Sequence, residues 1–333
     1  MKAFRLFHSG FSAQMATMAK PVRLVLDWDG TMTRKDTMSV IGSIPLRRDE
    51  RLGIHAAPEE PEWTSIGKAY MDDYNHHVQN YTPSKEARTT KRQESDWLRS
   101  LKVVEQASAA RVSELGVFRR VTSQDVATTA RQALANGELQ LRPGCLEFLK
   151  RYSAQSGSEV HNVHSDSTVE VLSVNWSAQF VREALLASTD EPDMLQTIAD
   201  LPLVANEIHA LDDPKGSDGI LSNGGEAVQT SADKLARLFP AKDQPAAPSM
   251  NTVYVGDSAT DFDCLIAADV GICIRDEPMG SGQQGLAETL DRLGIEQVHV
   301  GEVRRLDGGY QGLWWARNLE EVLSFIDRWR RLS

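Results

Sequence analysis

A short apolar run, Val22, Leu24, Val25 and Leu26, is interrupted only by Arg23 and stops at two carboxylates, Asp27 and Asp29, one residue apart. Gly30 and Thr31 follow. An apolar run of this length, bounded by a turn signal, predicts a strand buried on both faces, as in a parallel sheet. Ligands in such sheets bind just beyond the carboxyl ends of the strands. The strand therefore delivers two acids to the place where chemistry is expected.

An unperturbed aspartate has a pKa of about 3.9, so both groups default to the ionised form at neutral pH. Two carboxylates this close repel each other, and a nearby cation relieves the repulsion. A hard cation with oxygen ligands, most naturally Mg²⁺, suits them. Strand geometry would point both side chains the same way, but a turn at Gly30 swings Asp29 over the top. That separation suits a division of labour in which Asp27 attacks and Asp29 gives and takes a proton. An aspartate nucleophile that becomes an aspartyl-phosphate is an established covalent strategy. The plainer alternative is a strand followed by an acidic turn, and the motif alone does not decide between them.

The chain has 333 residues, 41% of them hydrophobic and 25% charged, which is globular composition with ample length for a core. A formal net charge of −11 argues against a nucleic-acid surface and leaves a small anionic substrate open if local cations offset the field. Cys145, Cys264 and Cys273 make no metal or redox spacing and read as reduced core thiols. No apolar run approaches the ~20 residues that span a bilayer. These features point to a cytoplasmic protein. Residues 1–20 carry Lys2, Arg5, His8 and Lys20, no acid, and several phenylalanines. A mitochondrial presequence is the alternative that this segment raises.

After Thr33 the α/β pattern stops for about a hundred residues. Asp36 to Pro61 reads as irregular. Trp63, Ile66, Tyr70, Tyr74, Val78 and Tyr81 then mark one face of a helix, and Trp97, Leu101, Val104, Ser108, Val112 and Leu115 a second. Ser123 to Asn136 reads as a third, closed by Gly137. An all-helical insertion over 36–137, set into a core formed by 21–35 and 138–333, reads as a cap that excludes water or contributes substrate contacts. A helical domain with no role in the site is the plainer alternative. From Arg142 onward strand and helix alternate, the signature of a mostly parallel sheet wrapped by helices. Predicted strands are Thr168 to Val174, Leu203 to Ala210, Thr252 to Val255, Val270 to Ile274 and Gln297 to Val300. Ser231 is expected to cap a helix carrying Lys234 in its first turn, where a cation is disfavoured by the helix dipole. Lys234 is therefore either a functional residue or a tolerated surface lysine.

Four features now stand in order: a strand ending in DWDGT, a strand ending in Ser173, a lysine at a helix start, and a strand ending in GDSATD. Together they resemble the haloacid dehalogenase (HAD) superfamily of aspartate-nucleophile phosphatases, over residues 21–33 and about 140–300. LSVNWS, VANEI and VYVGDSATDFDCLIAADVGICI look like the phosphatase region of plant thiamin monophosphate phosphatases and related fungal proteins. The resemblance implies a Rossmann-like core and a role for each matched residue. Asp27 would be the nucleophile and a Mg²⁺ ligand. Asp29 would protonate the leaving oxygen and then activate water, its carbonyl touching the metal. Ser173 would bind phosphoryl oxygens and Lys234 would neutralise charge. Asp257 would ligate Mg²⁺, and Asp261 would hold Asp257, a metal water or Lys234. Gly30 and Thr31 would line the substrate site.

One departure is that Val174 follows Ser173 where many relatives carry glycine or aspartate. If Ser173 is not the second-motif residue, Ser165 is the next candidate. Asn175 and Trp176 then become substrate contacts, although Trp176 serves equally well as core packing. His164, Asp166, His209, His76 and His77 lack zinc-site spacing and read as uncommitted. Trp314 and Trp315 are expected to pack the tail onto the core. The expectation is a Mg²⁺-dependent phosphatase of a small phosphorylated metabolite, with thiamin monophosphate or a similar heteroaromatic phosphate as substrate. A phosphotransferase or phosphomutase using the same aspartyl-phosphate is the first alternative. A non-catalytic interaction protein is the second, disfavoured because a binding module gains nothing from two unneutralised carboxylates.

Overall fold

A computed structural model describes residues 21–54, 63–152, 167–222, 227–240, 250–302 and 312–332. The presequence-like segment 1–20, and Ser165, His164 and Asp166, lie outside the described residues. The chain begins with β1 (Val22–Leu26), which leads into a tight turn over Trp28–Met32. The helices α1 (Met38–Gly42), α2 (Ile44–Leu52), α3 (Trp63–Asn80), α4 (Lys91–Ser100) and α5 (Lys102–Leu115) follow. Next come β2 (Phe118–Arg119), α6 (Ser123–Ala135), α7 (Cys145–Tyr152), β3 (Thr168–Leu172), α8 (Ala178–Leu186) and α9 (Pro192–Asp200). Four two-residue strands follow: β4 (Leu203–Val204), β5 (Glu207–Ile208), β6 (Asp218–Gly219) and β7 (Leu221–Ser222). The remainder is α10 (Ser231–Leu238), β8 (Asn251–Gly256), α11 (Phe262–Ala267), β9 (Val270–Ile274), α12 (Ser281–Arg292), β10 (Gln297–His299), β11 (Leu313–Ala316) and α13 (Leu319–Leu332).

Seven strands form one sheet in the order β10-β11-β9-β8-β1-β3-β4, and every ladder in it is parallel. This is a Rossmann-like α/β core. β1 lies between β8 and β3, with Leu26 opposite Val255 on one side and Val171 on the other. Side chains alternate across the sheet. Val22, Leu24 and Leu26 therefore join one core with Phe148, Phe180 and Ile326, while Val25 joins Tyr254, Phe262 and Leu290 on the opposite face. Arg23 is tolerated because its guanidinium reaches Glu170 and the Leu238 carbonyl, both at 2.5 Å.

Between Thr33 and Leu141 the chain leaves the sheet, and the two legs of the insertion are fastened together. Thr33 and Leu141 form an antiparallel bridge, Arg34 N–H donates to the Gln140 carbonyl, and Arg142 N–H donates to the Met32 carbonyl. Its helices start where side chains satisfy the free N–H groups. Thr90 with Gln93 opens α4, and Thr122 with Asp125 opens α6, each as a reciprocal capping box.

Several local expectations need correction. The stretch after Asp36 is not irregular but holds α1 and α2, too short to show a period. The face from Trp97 to Leu115 belongs to two helices broken at Leu101. The cap is not wholly helical, since β2 pairs antiparallel with β6, clasping it to the excursion that follows β5. The predicted strand 203–210 splits into β4, in the main sheet, and β5, which pairs with β7. Trp314 and Trp315 do pack the tail onto the core, as expected, from within a sheet strand, β11, with Trp314 against Phe325 of α13. Thr230, not Ser231, caps α10.

One cap helix is also bound into the core. Trp97 and Leu98 of α4 lie within the same apolar cluster as Tyr254 and Phe262. Glu94, 4% exposed at its side chain, is shared by Arg88 at 2.9 Å and Arg292 of α12 at 2.7 Å. Removing one partner from a buried ion pair leaves uncompensated charge. Glu94→Ala is therefore expected to destabilise the fold by about 3 kcal/mol, read as a lowered urea midpoint. An unchanged midpoint would show that this junction contributes nothing.

Candidate active site

The candidate side chains come chiefly from the carboxyl ends of three adjacent strands, β8, β1 and β3. Asp27 follows β1, and its N–H donates to the Val255 carbonyl of β8 at 2.9 Å, which extends the ladder by one residue. Asp257 directly follows β8, and Ser173 directly follows β3. From the helical layer, α10 adds Lys234, whose side chain has no exposed surface. Its ammonium lies 2.7 Å from Asp27 Oδ1 and 2.7 Å from Asp261 Oδ1. That contact accounts for a cation in the first turn of a helix, against the dipole.

Asp261 is the organising carboxylate. Its Oδ1 accepts from Lys234 and from the Tyr254 hydroxyl, and its Oδ2 accepts from the N–H groups of Asp257 and Ser258 and from the Ser258 hydroxyl. A carboxylate offers about four lone-pair sites, so Asp261 is fully occupied. Expected to ligate the metal or to hold Asp257, a metal water or Lys234, it holds Lys234 and the backbone of the loop that carries Asp257, and one of its oxygens lies within 4.8 Å of those of Asp27 and Asp257. Gly256 is required beneath it, because a Cβ there would lie 2.4 Å from the Asp261 carboxyl carbon.

Asp27 and Asp257 are different. Asp27 Oδ2 accepts no hydrogen bond among the described residues. Asp257 has only the Thr31 hydroxyl, at 3.5 Å. Both are buried, and one ligand oxygen each of Asp27, Asp257 and Asp261 lies within 4.8 Å of the others. Burial, then repulsion from Asp261, pushes the Asp27 carboxyl up to about 7 against the pull of Lys234. Burial, Asp261 and Asp27 push Asp257 well above the usual carboxylate range. For Lys234, burial works against the charge, but Asp261 and Asp27 outweigh it and hold the ammonium on. Three buried acids against one buried lysine leave a deficit of positive charge. An all-oxygen donor set with unspent lone pairs fits a hard divalent cation such as Mg²⁺.

The turn after Asp27 shapes the rest. Gly30 has φ +70°, and a Cβ there would meet Asp257 Oδ2 at 2.2 Å, so only glycine allows the loop to lie against that acid. The Gly30 N–H donates to Thr33 Oγ1, and Thr31 is wholly buried against Asp257, so these two residues build the loop rather than face open space. The turn swings Asp29 away from Asp27. Its Oδ1 accepts from the Thr37 N–H at 2.7 Å and the Thr37 hydroxyl at 2.6 Å, and its Oδ2 accepts from Asn175 Nδ2 at 2.9 Å. Burial and the negative charge of Asp36 raise the Asp29 carboxyl to about 6, while Thr37 and Asn175 oppose the rise.

Ser173 is wholly buried, and its Oγ accepts from the Asn175 N–H at 3.1 Å, leaving the hydroxyl proton uncommitted among the described residues. Asn175, expected to touch substrate, is wholly buried, with its amide nitrogen on Asp29 and Thr37 and its amide oxygen taken by the Ser177 N–H. Trp176 packs on the core and meets Trp63 of the cap edge to face at 5.8 Å. His209 pairs with Asp218 on the excursion after β5, and His77 with Ser100 in the cap. Thr37, Trp28 and Tyr254 are site residues that the sequence did not disclose. The Ser258-x-x-Asp261 box did carry a signal, being a helix-start pattern.

No known family model matches the chain. It is 28% identical to a CTO1 family protein of Schizosaccharomyces pombe over 257 residues, which cover 75% of this chain and 81% of that one. It is 28% identical to the Cold tolerance protein 1 of Saccharomyces cerevisiae over 263 residues, 72% and 74% of the two chains. It is 24% identical to the mitochondrial Bifunctional TH2 protein of Arabidopsis thaliana over 268 residues, 74% of this chain and 38% of that protein. Among solved structures, a phosphoserine phosphohydrolase-like protein from Francisella tularensis aligns over 92% of this chain and 99% of its own, at 14% identity and a TM-score of 0.45. Overlap at that level carries no weight beside the strand order and the placement of the acids. Those two features agree with the Rossmann-like core that the sequence resemblance implies.

The acids give a linkage with a definite sign. Asp27 and Asp29 titrate near 7 and 6 when folded, above about 3.9 unfolded, so the folded chain binds more protons across roughly pH 4–7. Their contribution is fully present below that window and is lost as pH rises through it. A divalent cation held by Asp27 and Asp257 would take the place of the Asp27 proton, so Mg²⁺ is expected to raise the melting temperature at pH 7.5 and to leave it unchanged at pH 4. Asp257→Asn should abolish the Mg²⁺ shift at pH 7.5. A shift of equal size at both pH values would contradict a carboxylate cation site.

Proposed function

We propose that the chain is a Mg²⁺-dependent phosphatase that hydrolyses a small phosphomonoester through an aspartyl-phosphate on Asp27. The observation that carries this reading is the meeting of Asp27 and Asp257, at adjacent strand ends of one sheet, with Lys234 of α10, from three separate parts of the sequence. Asp27 and Asp257 would hold the cation, with the carbonyl of Asp29 as a third oxygen. When bound, Mg²⁺ supplies positive charge to the phosphoryl oxygens and offsets the repulsion between the acids.

The chain's own residues account for the remaining steps. Asp27 Oδ2, which accepts no hydrogen bond among the described residues, attacks phosphorus as the ester P–O bond breaks. The electron pair passes to the leaving oxygen, which takes the proton of Asp29. Lys234 holds Asp27 Oδ1, fixing the carboxylate in orientation and neutralising charge as it builds. Ser173 turns its uncommitted hydroxyl proton to a phosphoryl oxygen. In the second half-reaction Asp29 takes a proton from water, which attacks phosphorus and frees Asp27 and inorganic phosphate. Phosphoryl transfer needs positioning and charge more than covalent ingenuity, and both are supplied by this arrangement.

Thiamin monophosphate, or a heteroaromatic phosphate like it, is the substrate we favour. Support comes from the motif runs around Ser173 and Asp257. The aromatic junction of Trp63 and Trp176, next to the residue that holds Asp29, is consistent with it. A phosphoester panel, with thiamin monophosphate, pyridoxal phosphate, nucleotides and sugar phosphates, each with and without Mg²⁺, tests the reading. Release of inorganic phosphate only with Mg²⁺ is the expected result, and Asp27→Asn should abolish it while leaving the fold intact. Transfer of the phosphoryl group to another hydroxyl would instead make the chain a phosphotransferase. No turnover on any ester would remove the catalytic reading.

A further inference from the structure

Asp29 is held by three hydrogen bonds from two residues, and their geometry identifies the oxygen that carries the proton. Oδ1 accepts two hydrogen bonds, both from Thr37, and Oδ2 accepts one, from Asn175. Each carboxylate oxygen has two lone pairs. Oδ1 is therefore filled, and one position on Oδ2 is unspent.

The direction of the Thr37 hydroxyl is fixed as well. Its oxygen accepts from Trp28 Nε1 at 3.2 Å and from Asn175 Nδ2 at 3.1 Å. Both partners are pure donors at those atoms, so the hydroxyl's single proton is left with Asp29 Oδ1 at 2.6 Å. Asn175 in turn cannot rotate its amide, because its oxygen receives the Ser177 N–H at 3.0 Å. Trp28, Thr37 and Asn175 are all buried, which makes each unmet donor or acceptor costly and the network all-or-none.

We infer that Thr37 is a positioning residue for the proton-transfer acid, with Trp28 and Asn175 setting its polarity, and that Asp29 exchanges its proton through Oδ2. This rests on the phosphatase reading. As the P–O bond breaks, the proton leaves Asp29 Oδ2 for the departing oxygen, and the carboxylate so formed keeps its three donors. In the return step the same oxygen takes a proton from water. A carboxyl fixed this firmly matters when the leaving oxygen is strongly basic, as in the ester of an aliphatic alcohol. It matters little when the departing group is already a stable anion.

That contrast supplies the test. Wild type, Thr37→Val and Thr37→Ser are compared on β-glycerol phosphate and on 4-nitrophenyl phosphate with saturating Mg²⁺. kcat/KM is the quantity read, since it reports the ester-cleaving half-reaction. Thr37→Val keeps the shape and removes the hydroxyl. Positioned acid catalysis contributes ~10²–10⁴-fold, so a loss of roughly tenfold or more is expected on the alkyl ester, with a much smaller loss on the aryl ester. Thr37→Ser should restore both. Trp28→Phe, which removes the indole N–H together with part of the buried ring, should shift the two substrates in the same unequal way. It serves as the second variant if Thr37→Val melts early. Equal losses on the two esters, or no recovery with serine, would overturn the positioning role while leaving the phosphatase reading intact. Wild type inactive on both these esters and on the whole panel would remove that reading and this inference with it.

Discussion

Every part of the site depends on one buried contact, the ammonium of Lys234 placed between Asp27 and Asp261. None of the three has appreciable exposure. Burying charge is expensive even when it is paired, and a well-packed apolar substitute often serves stability as well or better. A cluster of this kind is therefore weak evidence for stability and better evidence for chemistry. It joins β1 to α10 and, through Asp261, to the loop after β8. Three segments far apart in sequence thus share one proton-rich group at the rim of the sheet.

The acids around this contact divide the work according to how their lone pairs are spent. Asp261 is saturated by Lys234, Tyr254 and the loop backbone, so it can only hold others in place. Asp29 is nearly saturated, with one position left. Asp27 and Asp257 retain the most, and these two face each other across Gly30 and the ends of adjacent strands. Four neighbouring aspartates would otherwise look alike. Their hydrogen-bond inventories, rather than their identities, separate the roles proposed for them as scaffold, acid, nucleophile and cation ligand.

Much of this was legible in the sequence because local pattern and long-range role coincide there. An apolar run ending in DWDGT can be little other than a buried strand with acids at its carboxyl end, and GDSATD repeats that logic beside it. Lys234 could be singled out because its position conflicts with the helix dipole. What escaped had no local signature. Thr37 is an ordinary residue before a five-residue helix, and its importance arises from a contact with Asn175, 138 positions away. Asn175 read as a substrate contact because a polar residue after a strand end usually faces the ligand. Here both ends of its amide are consumed by the protein. β2 and β6 are two residues each, below the length at which alternation can be seen.

The cap illustrates the same limit on a larger scale. Helical periodicity identified an insertion after the first strand, and a lid is the natural reading of one. Yet the insertion is fastened at its legs through Thr33 and Leu141, along α4 through Trp97, Leu98 and the Glu94 ion pairs, and at its far side through β2 and β6. Rigid-body opening of the whole insertion would break all three attachments together, including buried charge. The first of its residues to touch the site, Thr37, holds the acid directly. The insertion accordingly forms one wall of the candidate site: the carboxyl of Asp29 is shaped from one side by the sheet, through Asn175, and from the other by the start of the insertion, through Thr37.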